Sequence, residues 1–339
     1  MKFGGATLSR TQPVPPQVNP DDLPYVLMDN RISYLYYPKD RIATDEYTTV
    51  YFGEAFKGSR KVKDVVVKIV SADSFEETSQ LKNENLVFQQ LYKTAVSPYI
   101  PEVYVFRVSS STRRHYTLIS ERVGPSLESF IDKQLSIKTC LSILYQGIEA
   151  LEALHSTGYV HDDIKSGNMC IGLGDPQNLK LIDLGVSMKF MESASSVPRY
   201  EDRHNGSPYY VSPEIWYGRD LQPVSRKHDL QSLLYVILEL YNGSLPWKSL
   251  RIEGAPYKYV AGIKKKIAEQ KEIFIVREIY NISDRRAREI LIYYYDFVWS
   301  LGPFQNPGYR NLKSAIRRYP GFTRDIVISR RNSHGYRKK

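Results

Sequence analysis

The chain has 339 residues, of which 42% are hydrophobic, 25% charged and 12% aromatic. This hydrophobic fraction excludes a wholly disordered chain, and the length suggests roughly two compact units. The chain contains 47 Lys and Arg residues and 37 Asp and Glu residues, so its net charge is +10. That balance favours acidic partners such as phosphorylated protein, nucleic acid or an anionic membrane surface, although charges spread for solubility would give it too.

Two cysteines, Cys140 and Cys170, exclude a disulfide-dense scaffold and a four-cysteine zinc module. The sequence contains no run of about 18 apolar residues, so we expect no membrane-spanning helix. No apolar segment of signal-peptide length follows Met1. We therefore expect the protein in the cytoplasm, the nucleus or both.

The first part of the chain predicts an unstructured arm followed by a small sheet. Residues 1–30 carry five prolines and no apolar periodicity, which is typical of an unstructured segment. A helix is predicted over residues 76–93 from its apolar spacing. Runs of β-branched and aromatic residues predict strands that begin at Ile32, Thr48, Val65, Val103 and Tyr116.

After Gly124-Pro125 the pattern becomes helical. Leucines and isoleucines between Leu141 and Leu154 recur at helical spacing, and the run 230–240 is so apolar that it predicts a buried helix. Two short strands are predicted around 169–171 and 179–182, and a long polar stretch covers 191–207. The end of the chain, from Arg324, is basic and is predicted to be loose.

These elements predict an α+β protein with two lobes. The small β-rich lobe with one main helix spans about residues 31–121, the link spans 121–125 and the larger helical lobe spans 126–321. A basic tail follows over 322–339. A cleft between two such lobes is the expected ligand site.

The strongest chemical signal is the run from His161 to Asn168, His-Asp-Asp-Ile-Lys-Ser-Gly-Asn. Phosphoryl transfer needs a carboxylate for the attacking hydroxyl, a cation near the phosphoryl group and an oxygen ligand for Mg²⁺, which Asp163, Lys165 and Asn168 can supply. Asp183, in Ile-Asp-Leu-Gly, follows Asp163 by 20 residues and suits a second Mg²⁺ ligand.

Each of these pieces alone is weak, because an Asp before Gly or before a helix is usually a turn or a cap residue. Their order along the chain is the stronger signal. Lys68 lies in a valine-rich strand and Glu84 on the next helix, before the other two motifs. Since an unpaired buried ammonium is costly, we expect Glu84 to pair with Lys68.

The chain resembles the protein kinases and, more narrowly, the casein kinase I superfamily, which includes the tau-tubulin and vaccinia-related kinases. Four runs carry the narrower resemblance beside the motifs above, and it covers about residues 32–320. They are Gly124-Pro-Ser-Leu-Glu, Arg226-Lys-His-Asp-Leu-Gln-Ser-Leu, Gly243-Ser-Leu-Pro-Trp and the late pattern Phe304…Pro307-Gly-Tyr309…Leu312.

The resemblance implies a bilobal protein kinase-like fold and a monomeric serine/threonine kinase. Such an enzyme transfers the γ-phosphoryl group of ATP, with Mg²⁺ as the metal, to protein substrates. A preference for acidic or already phosphorylated substrates is also implied. Nucleic acid is not an expected partner, because no aromatic-basic recognition motif accompanies the positive charge.

The resemblance also assigns roles to single residues. Asp163 would be the catalytic base and Lys165 would steady the γ-phosphate. The cofactor-binding positions would be Lys68 and its partner Glu84 at the phosphates, Glu121 and Val123 in the link facing the adenine, and Asn168 and Asp183.

Asn168 and Asp183 would be the metal ligands. Asp229 would lie at the start of the buried helix and brace the loop that carries Asp163, a role compatible with a plain helix cap.

The phosphate-binding loop departs from the family pattern. The stretch 43–50 reads Ala-Thr-Asp-Glu-Tyr-Thr-Thr-Val and has lost all three expected glycines. Glycine lets the backbone approach phosphates closely, and Asp45 and Glu46 place negative charge where a triphosphate would lie. The alternative function is therefore a pseudokinase scaffold with weak or no ATP turnover.

Two further departures concern the helical lobe. Asp162 stands where many kinases have an Arg that pairs with a phosphorylated segment, so we expect activity without phosphorylation in 191–207. Glu214 is expected to pair with an Arg, for which Arg310 is a candidate.

Among the basic positions, Arg226 and Lys227 are candidates for anion recognition because they precede the matched helix. The run 264–266, Lys-Lys-Lys, is more simply a solvated helix face.

Overall fold

The computed structural model describes residues 25–92, 98–109, 114–173, 178–190, 206–217 and 225–329. Most of the predicted arm, most of the polar stretch and the last ten residues lie outside this part of the chain. Within the described residues, the predicted α+β architecture with a small sheet lobe and a larger helical lobe is confirmed.

The small lobe contains six antiparallel strands in the order β1-β2-β3-β4-β6-β5, counted over the described residues. The sheet curls so far that its two outer strands touch, since the Arg107 guanidinium on β5 donates to the Met28 carbonyl on β1 at 2.8 Å. The strands are β1 Tyr25–Asp29, β2 Ile32–Thr44, β3 Thr48–Lys57, β4 Arg60–Ser71, β5 Val103–Val108 and β6 His115–Glu121.

Strand β1 corrects the prediction of an unstructured arm up to residue 30. Tyr25 pairs with Tyr36 and Asp29 with Ile32, in a hairpin whose turn places Asn30 at φ 52°. Asn tolerates this left-handed conformation better than most residues. The prolines upstream masked a short β-prone run that adds a strand to the edge of the sheet.

Helix α1, Phe75–Tyr92, packs on the sheet and begins and ends within two residues of its prediction. Its apolar side chains Leu81, Val87, Phe88 and Leu91 are buried. Glu84 lies on the same buried side, so the packing of α1 turns a carboxylate toward the sheet.

The helical lobe is built around α2, Ile137–His155, and α4, Arg226–Asn242. Every residue of α4 from Arg226 to Tyr241 is buried, which confirms the prediction of a buried helix. The two helices approach so closely that a Cβ on Gly147 would lie 2.8 Å from the Leu233 side chain. The other helices are α3 Pro213–Tyr217, α5 Tyr257–Tyr280, α6 Arg285–Trp299 and α7 Tyr309–Arg317.

Short strand pairs line the side of this lobe that faces the sheet. The pairs are β8 Met169–Ile171 with β9 Leu179–Leu181, and β7 Tyr159–Val160 with β10 Met188–Lys189. The loops that follow β7 and β9 contain the two predicted catalytic motifs. Both motifs therefore open toward the cleft between the lobes.

The segment 322–329 corrects the prediction of a loose tail, because it packs along α2. The Thr139 hydroxyl donates to the Val327 carbonyl at 2.7 Å, and the Gln146 amide donates to the Arg324 carbonyl at 2.8 Å. Polar side chains on one face of α2 thus satisfy the backbone of this segment. The basic composition of the segment gives no sign that it packs against α2.

Candidate active site

Lys68 connects three elements at the cleft. It lies on β4, and its Nζ is 3.0 Å from the Glu84 carboxylate on α1 and 3.3 Å from the Asp183 carboxylate after β9. The Glu84 side chain is 7% exposed, whereas the Asp183 side chain is 41% exposed. The structure therefore brings together three of the predicted residues from distant parts of the sequence.

Mutual attraction stabilises the charged forms of Lys68 and Asp183. Burial disfavours the ammonium of Lys68, but the carboxylates of Glu84 and Asp183 outweigh it and raise the pKa of Lys68. The attraction of Lys68 in turn holds the pKa of Asp183 below its usual range. Burial raises the pKa of Glu84, so the negative charge at the open side of the triad is that of Asp183, which attracts a metal cation there.

Asp163 accepts hydrogen bonds from three directions. Lys165 Nζ lies 2.6 Å from its carboxylate, Asn168 Nδ2 lies at 2.9 Å and the backbone N–H of Ser207 at 2.8 Å. With a side chain only 10% exposed, the carboxylate is fixed in one orientation. Three predicted site residues thus share one cluster, and Ser207 is an addition that the sequence did not indicate.

Asp229, on the first turn of α4, anchors the loop that carries Asp163. Its carboxylate accepts the backbone N–H groups of His161 at 2.7 Å and Asp162 at 2.9 Å, and it contacts the His155 ring at 2.8 Å. Burial raises the pKa of Asp229, but the hydrogen bond from His155 outweighs it and the pKa is lowered. The anchor holds Asp162 at φ 64°, where most side chains are strained.

Asn83, one residue before Glu84, fastens α1 to the Asp-Leu-Gly segment. Its side-chain amide donates to the carbonyls of Gly185 and Ser187, both at 2.9 Å. The sequence does not indicate this residue, because a single Asn in a helix gives no periodic signal. Its position next to Glu84 is the one feature of the sequence that points to it.

Hydrogen bonds and an ion pair hold the link between the lobes to residues of both lobes. The Glu121 carboxylate pairs with Lys180 of β9 at 3.2 Å and accepts the Glu102 N–H at 3.1 Å. Val123 follows two residues later and is half-buried. The next residue, Gly124, donates to Ile171 O so closely that a Cβ would lie 2.6 Å from that oxygen.

The turn between β2 and β3 occupies the position of the glycine-free loop. Asp45 Oδ1 accepts the backbone N–H groups of Tyr47 at 2.9 Å and Thr48 at 2.7 Å. The sequence predicts negative charge near a triphosphate at this turn. The structure adds that one oxygen of the Asp45 carboxylate binds the backbone of the turn itself.

The segment 208–211 follows Ser207, and each of its four carbonyls accepts a hydrogen bond from a side chain of the helical lobe. The donors are Lys271 to Pro208 at 2.8 Å and to Val211 at 2.6 Å, Trp247 to Tyr209 at 2.8 Å and Ser232 to Tyr210 at 2.8 Å. Lys271 is fully buried, and burial lowers the pKa of Lys271 well below its usual value. These four hydrogen bonds therefore fix the backbone of the segment 208–211 against the helical lobe.

Glu214 pairs with Lys227 at 2.6 Å, which corrects the expected pairing with Arg310. Lys227 is the second residue of α4, and its side chain reaches Glu214 on α3. Arg226 lies over the Phe190 ring at 4.5 Å and is 8% exposed. Neither cation is therefore presented to an anionic ligand, which corrects the prediction for this pair.

A scan against protein families matches residues 50–295 to the protein kinase domain. The chain belongs to the protein kinase family. The match begins at Val50, directly after the glycine-free turn, and ends within α6. It includes every predicted catalytic, metal-binding and cofactor-binding residue of this kinase.

Curated relatives confirm the narrower resemblance to casein kinase I. The kinase is 27% identical over 272 residues to casein kinase I homolog 3 of Schizosaccharomyces pombe, covering 78% of this chain and 58% of that protein. It is 30% identical over 229 residues to casein kinase I homolog 1 of Saccharomyces cerevisiae, covering 65% and 40%. The chain thus spans about half the length of these relatives. Among the described residues, no helix of the kinase is long and apolar enough to cross a membrane.

Proposed function

We propose that this kinase transfers the γ-phosphoryl group of Mg-ATP to serine or threonine hydroxyls of proteins. The observation that carries the proposal is the fixed carboxylate of Asp163, held by Lys165, Asn168 and Ser207 in the cleft that also contains Lys68 and Asp183. A carboxylate held in this way can orient the attacking hydroxyl and accept its proton.

The other predicted residues divide the remaining work. Lys68, positioned by Glu84, would bind nucleotide phosphates, and Lys165 would stabilise the negative charge on the phosphoryl group in transfer. The backbone of the link at Glu121 and Val123 would face the adenine.

The residues fit a magnesium ion. The Asp183 carboxylate is charged and exposed to the cleft. Asn168 uses its N–H group on Asp163, so its side-chain oxygen is available as a ligand. Ile182 N donates to Asn168 O at 3.0 Å, which keeps the two ligands on adjacent backbone. Bound there, Mg²⁺ would neutralise charge on the phosphates.

The proposed preference for acidic or already phosphorylated substrates rests on charge. The net charge is +10, and the exposed Arg251 lines an open depression of about 770 Å³. Tyr209 of the segment 208–211 donates to Leu250 O at 3.2 Å, and Leu250 lies between Ser249 and Arg251, which line this depression. Attraction to the net positive charge of the chain would favour acidic sequences.

A second candidate function is a kinase-fold scaffold with weak or no ATP turnover. The glycine-free turn, whose Tyr47 and Thr48 N–H groups are bound by Asp45, favours it. The retained cluster around Lys68 and Asp163 supports the enzyme.

Matched peptides test the proposal. One set carries Ser, Thr or Tyr at a single acceptor position, and a second set surrounds the Ser with neutral, acidic or pre-phosphorylated residues. We expect transfer to Ser and Thr, faster with acidic or phosphorylated flanks. Transfer to Tyr alone, or equal rates on neutral and acidic peptides, would contradict the corresponding part of the proposal. Absence of transfer to all peptides would favour the scaffold.

A further inference from the structure

The turn between β2 and β3 binds its own backbone through Asp45. The same oxygen, Oδ1, accepts the N–H groups of Tyr47 and Thr48, and the Asp45 N–H donates to Thr48 O at 2.9 Å. The carboxylate therefore closes the turn on itself. Both N–H groups are satisfied before any ligand arrives.

Successive backbone N–H groups in a tight turn are natural ligands for phosphate oxygens. The turn lies next to Lys68, because Val50, two residues after Thr48, is the strand partner of Lys68. The N–H groups of Tyr47 and Thr48 are thus close to the phosphate-binding lysine. An anionic oxygen already occupies them, and it belongs to the chain.

Hydrogen bonds to neighbouring elements also hold the turn in the conformation that Asp45 stabilises. The Thr48 hydroxyl donates to Glu77 on α1 at 3.1 Å, and the Tyr47 carbonyl accepts the Ser71 N–H at 2.8 Å. Thr48 is 7% exposed. Exchange of Asp45 for a phosphate would therefore take place in a turn that is held from both sides.

We infer that Asp45 is an internal competitor for the phosphates of the nucleotide. While its carboxylate binds Tyr47 and Thr48, the turn contributes little to triphosphate affinity, and binding depends on Lys68, Asp183 and the adenine site. This inference rests on the proposed function, in which the cleft binds Mg-ATP. It explains how a kinase cleft with an intact Lys68 cluster can hold ATP weakly.

The test is nucleotide affinity, measured by calorimetry on the full chain with Mg-ATP and with adenosine. Three variants separate hydrogen bonding from charge. Asp45→Ala removes the acceptor and the charge, whereas Asp45→Asn keeps an acceptor oxygen and loses the charge. Glu46→Gln removes a neighbouring charge of the same turn.

We expect Asp45→Ala to bind Mg-ATP more tightly by on the order of tenfold. Asp45→Asn and Glu46→Gln should stay within about twofold of the unaltered kinase, and adenosine affinity should be the same in all four proteins. Unchanged adenosine affinity also shows that each variant is folded.

Equal tightening by Asp45→Ala and Asp45→Asn would overturn the inference, because charge repulsion would then be the cause. Unchanged Mg-ATP affinity in Asp45→Ala would overturn it as well, while adenosine binding would leave the proposed nucleotide site standing. If neither ligand bound to the unaltered kinase or to Asp45→Ala, the inference and the proposed function would both fail.

Discussion

The side-chain amide of Asn83 lies 2.9 Å from the carbonyl oxygen of Gly185. This contact joins α1, which carries Glu84, to the segment that carries Asp183. Because Glu84 and Asp183 both pair with Lys68, the Asn83 amide fixes the relative position of the two carboxylates. Helix and segment therefore form one unit around the lysine.

We predict that Asn83→Leu lowers the rate constant of phosphoryl transfer by up to about thirtyfold, since two hydrogen bonds worth about 1 kcal/mol each are lost. The measurement is kcat at saturating ATP. Asn85→Leu changes the same residue type on the same helix and is the matched control. Equal losses in both variants would show that α1 is merely destabilised and that Asn83 has no positioning role.

We predict that Lys271→Met weakens peptide binding more than ATP binding, because the carbonyls of Pro208 and Val211 lose their donor. The peptide KM should rise several-fold and the ATP KM should change little. The free energy of unfolding should fall by about 2–3 kcal/mol. Lys265→Met, at an exposed site of α5, is the control. A rise in both KM values alike would contradict a role confined to the segment 208–211.

We predict that the kinase does not need phosphorylation within 191–207. Asp162, which stands in place of the usual Arg, would repel a phosphate there. The segment 208–211 is already held by donors of the helical lobe. Rates before and after phosphatase treatment should agree within about twofold, and acidic substitutions at Ser193, Ser195 and Ser196 should change little. A strong loss of rate on dephosphorylation would refute this prediction.

The Glu214–Lys227 pair gives a pH-dependent contribution to stability. Burial raises the pKa of Glu214, but its contacts with His228 and Lys227 outweigh this effect and lower the pKa to about 2. Because the folded pKa is depressed, the contribution is present above the unfolded value of about 4.5 and is lost as the pH falls toward 2.

Glu214→Gln should therefore be less stable than the unaltered kinase at pH 7. The Glu214 side chain is about one-third exposed, so screening limits the difference to about 1 kcal/mol. Denaturant unfolding between pH 7 and pH 2 measures it. A difference that stays constant or grows on acidification would contradict the assignment.

The residues of the candidate site could be predicted from the sequence because their order along the chain is distinctive. Lys68, Glu84, Asp163 and Asp183 each follow a local pattern of strand, helix or turn, and their sequence order limits how they can meet. Asn83, Lys271 and Ser207 have no such pattern. Their roles depend on which backbone carbonyl or carboxylate lies opposite, and only the packed fold determines this.

Errors in the prediction of the fold have the same origin. Glu214 needed a cation, which the sequence indicated, but Lys227 and Arg310 could be told apart only by the packing of α3 against α4. At both ends of the domain, the composition predicted unstructured segments, although residues 25–29 and 322–329 bind to other elements of the fold. Strand β1 finds its partner in β2, and the segment 322–329 finds its partners in the polar side chains of α2.

Labelled phosphate transfer from Mg-ATP to an acidic Ser/Thr peptide pool, with the unaltered kinase and Asp163→Asn side by side, tests the central claim most directly. Asparagine keeps the shape of the side chain but cannot accept the hydroxyl proton. We predict incorporation by the unaltered kinase and a loss of about a hundredfold or more in Asp163→Asn. Equal incorporation by both proteins, or none by the unaltered kinase, would contradict the proposal that this cleft catalyses phosphoryl transfer through Asp163.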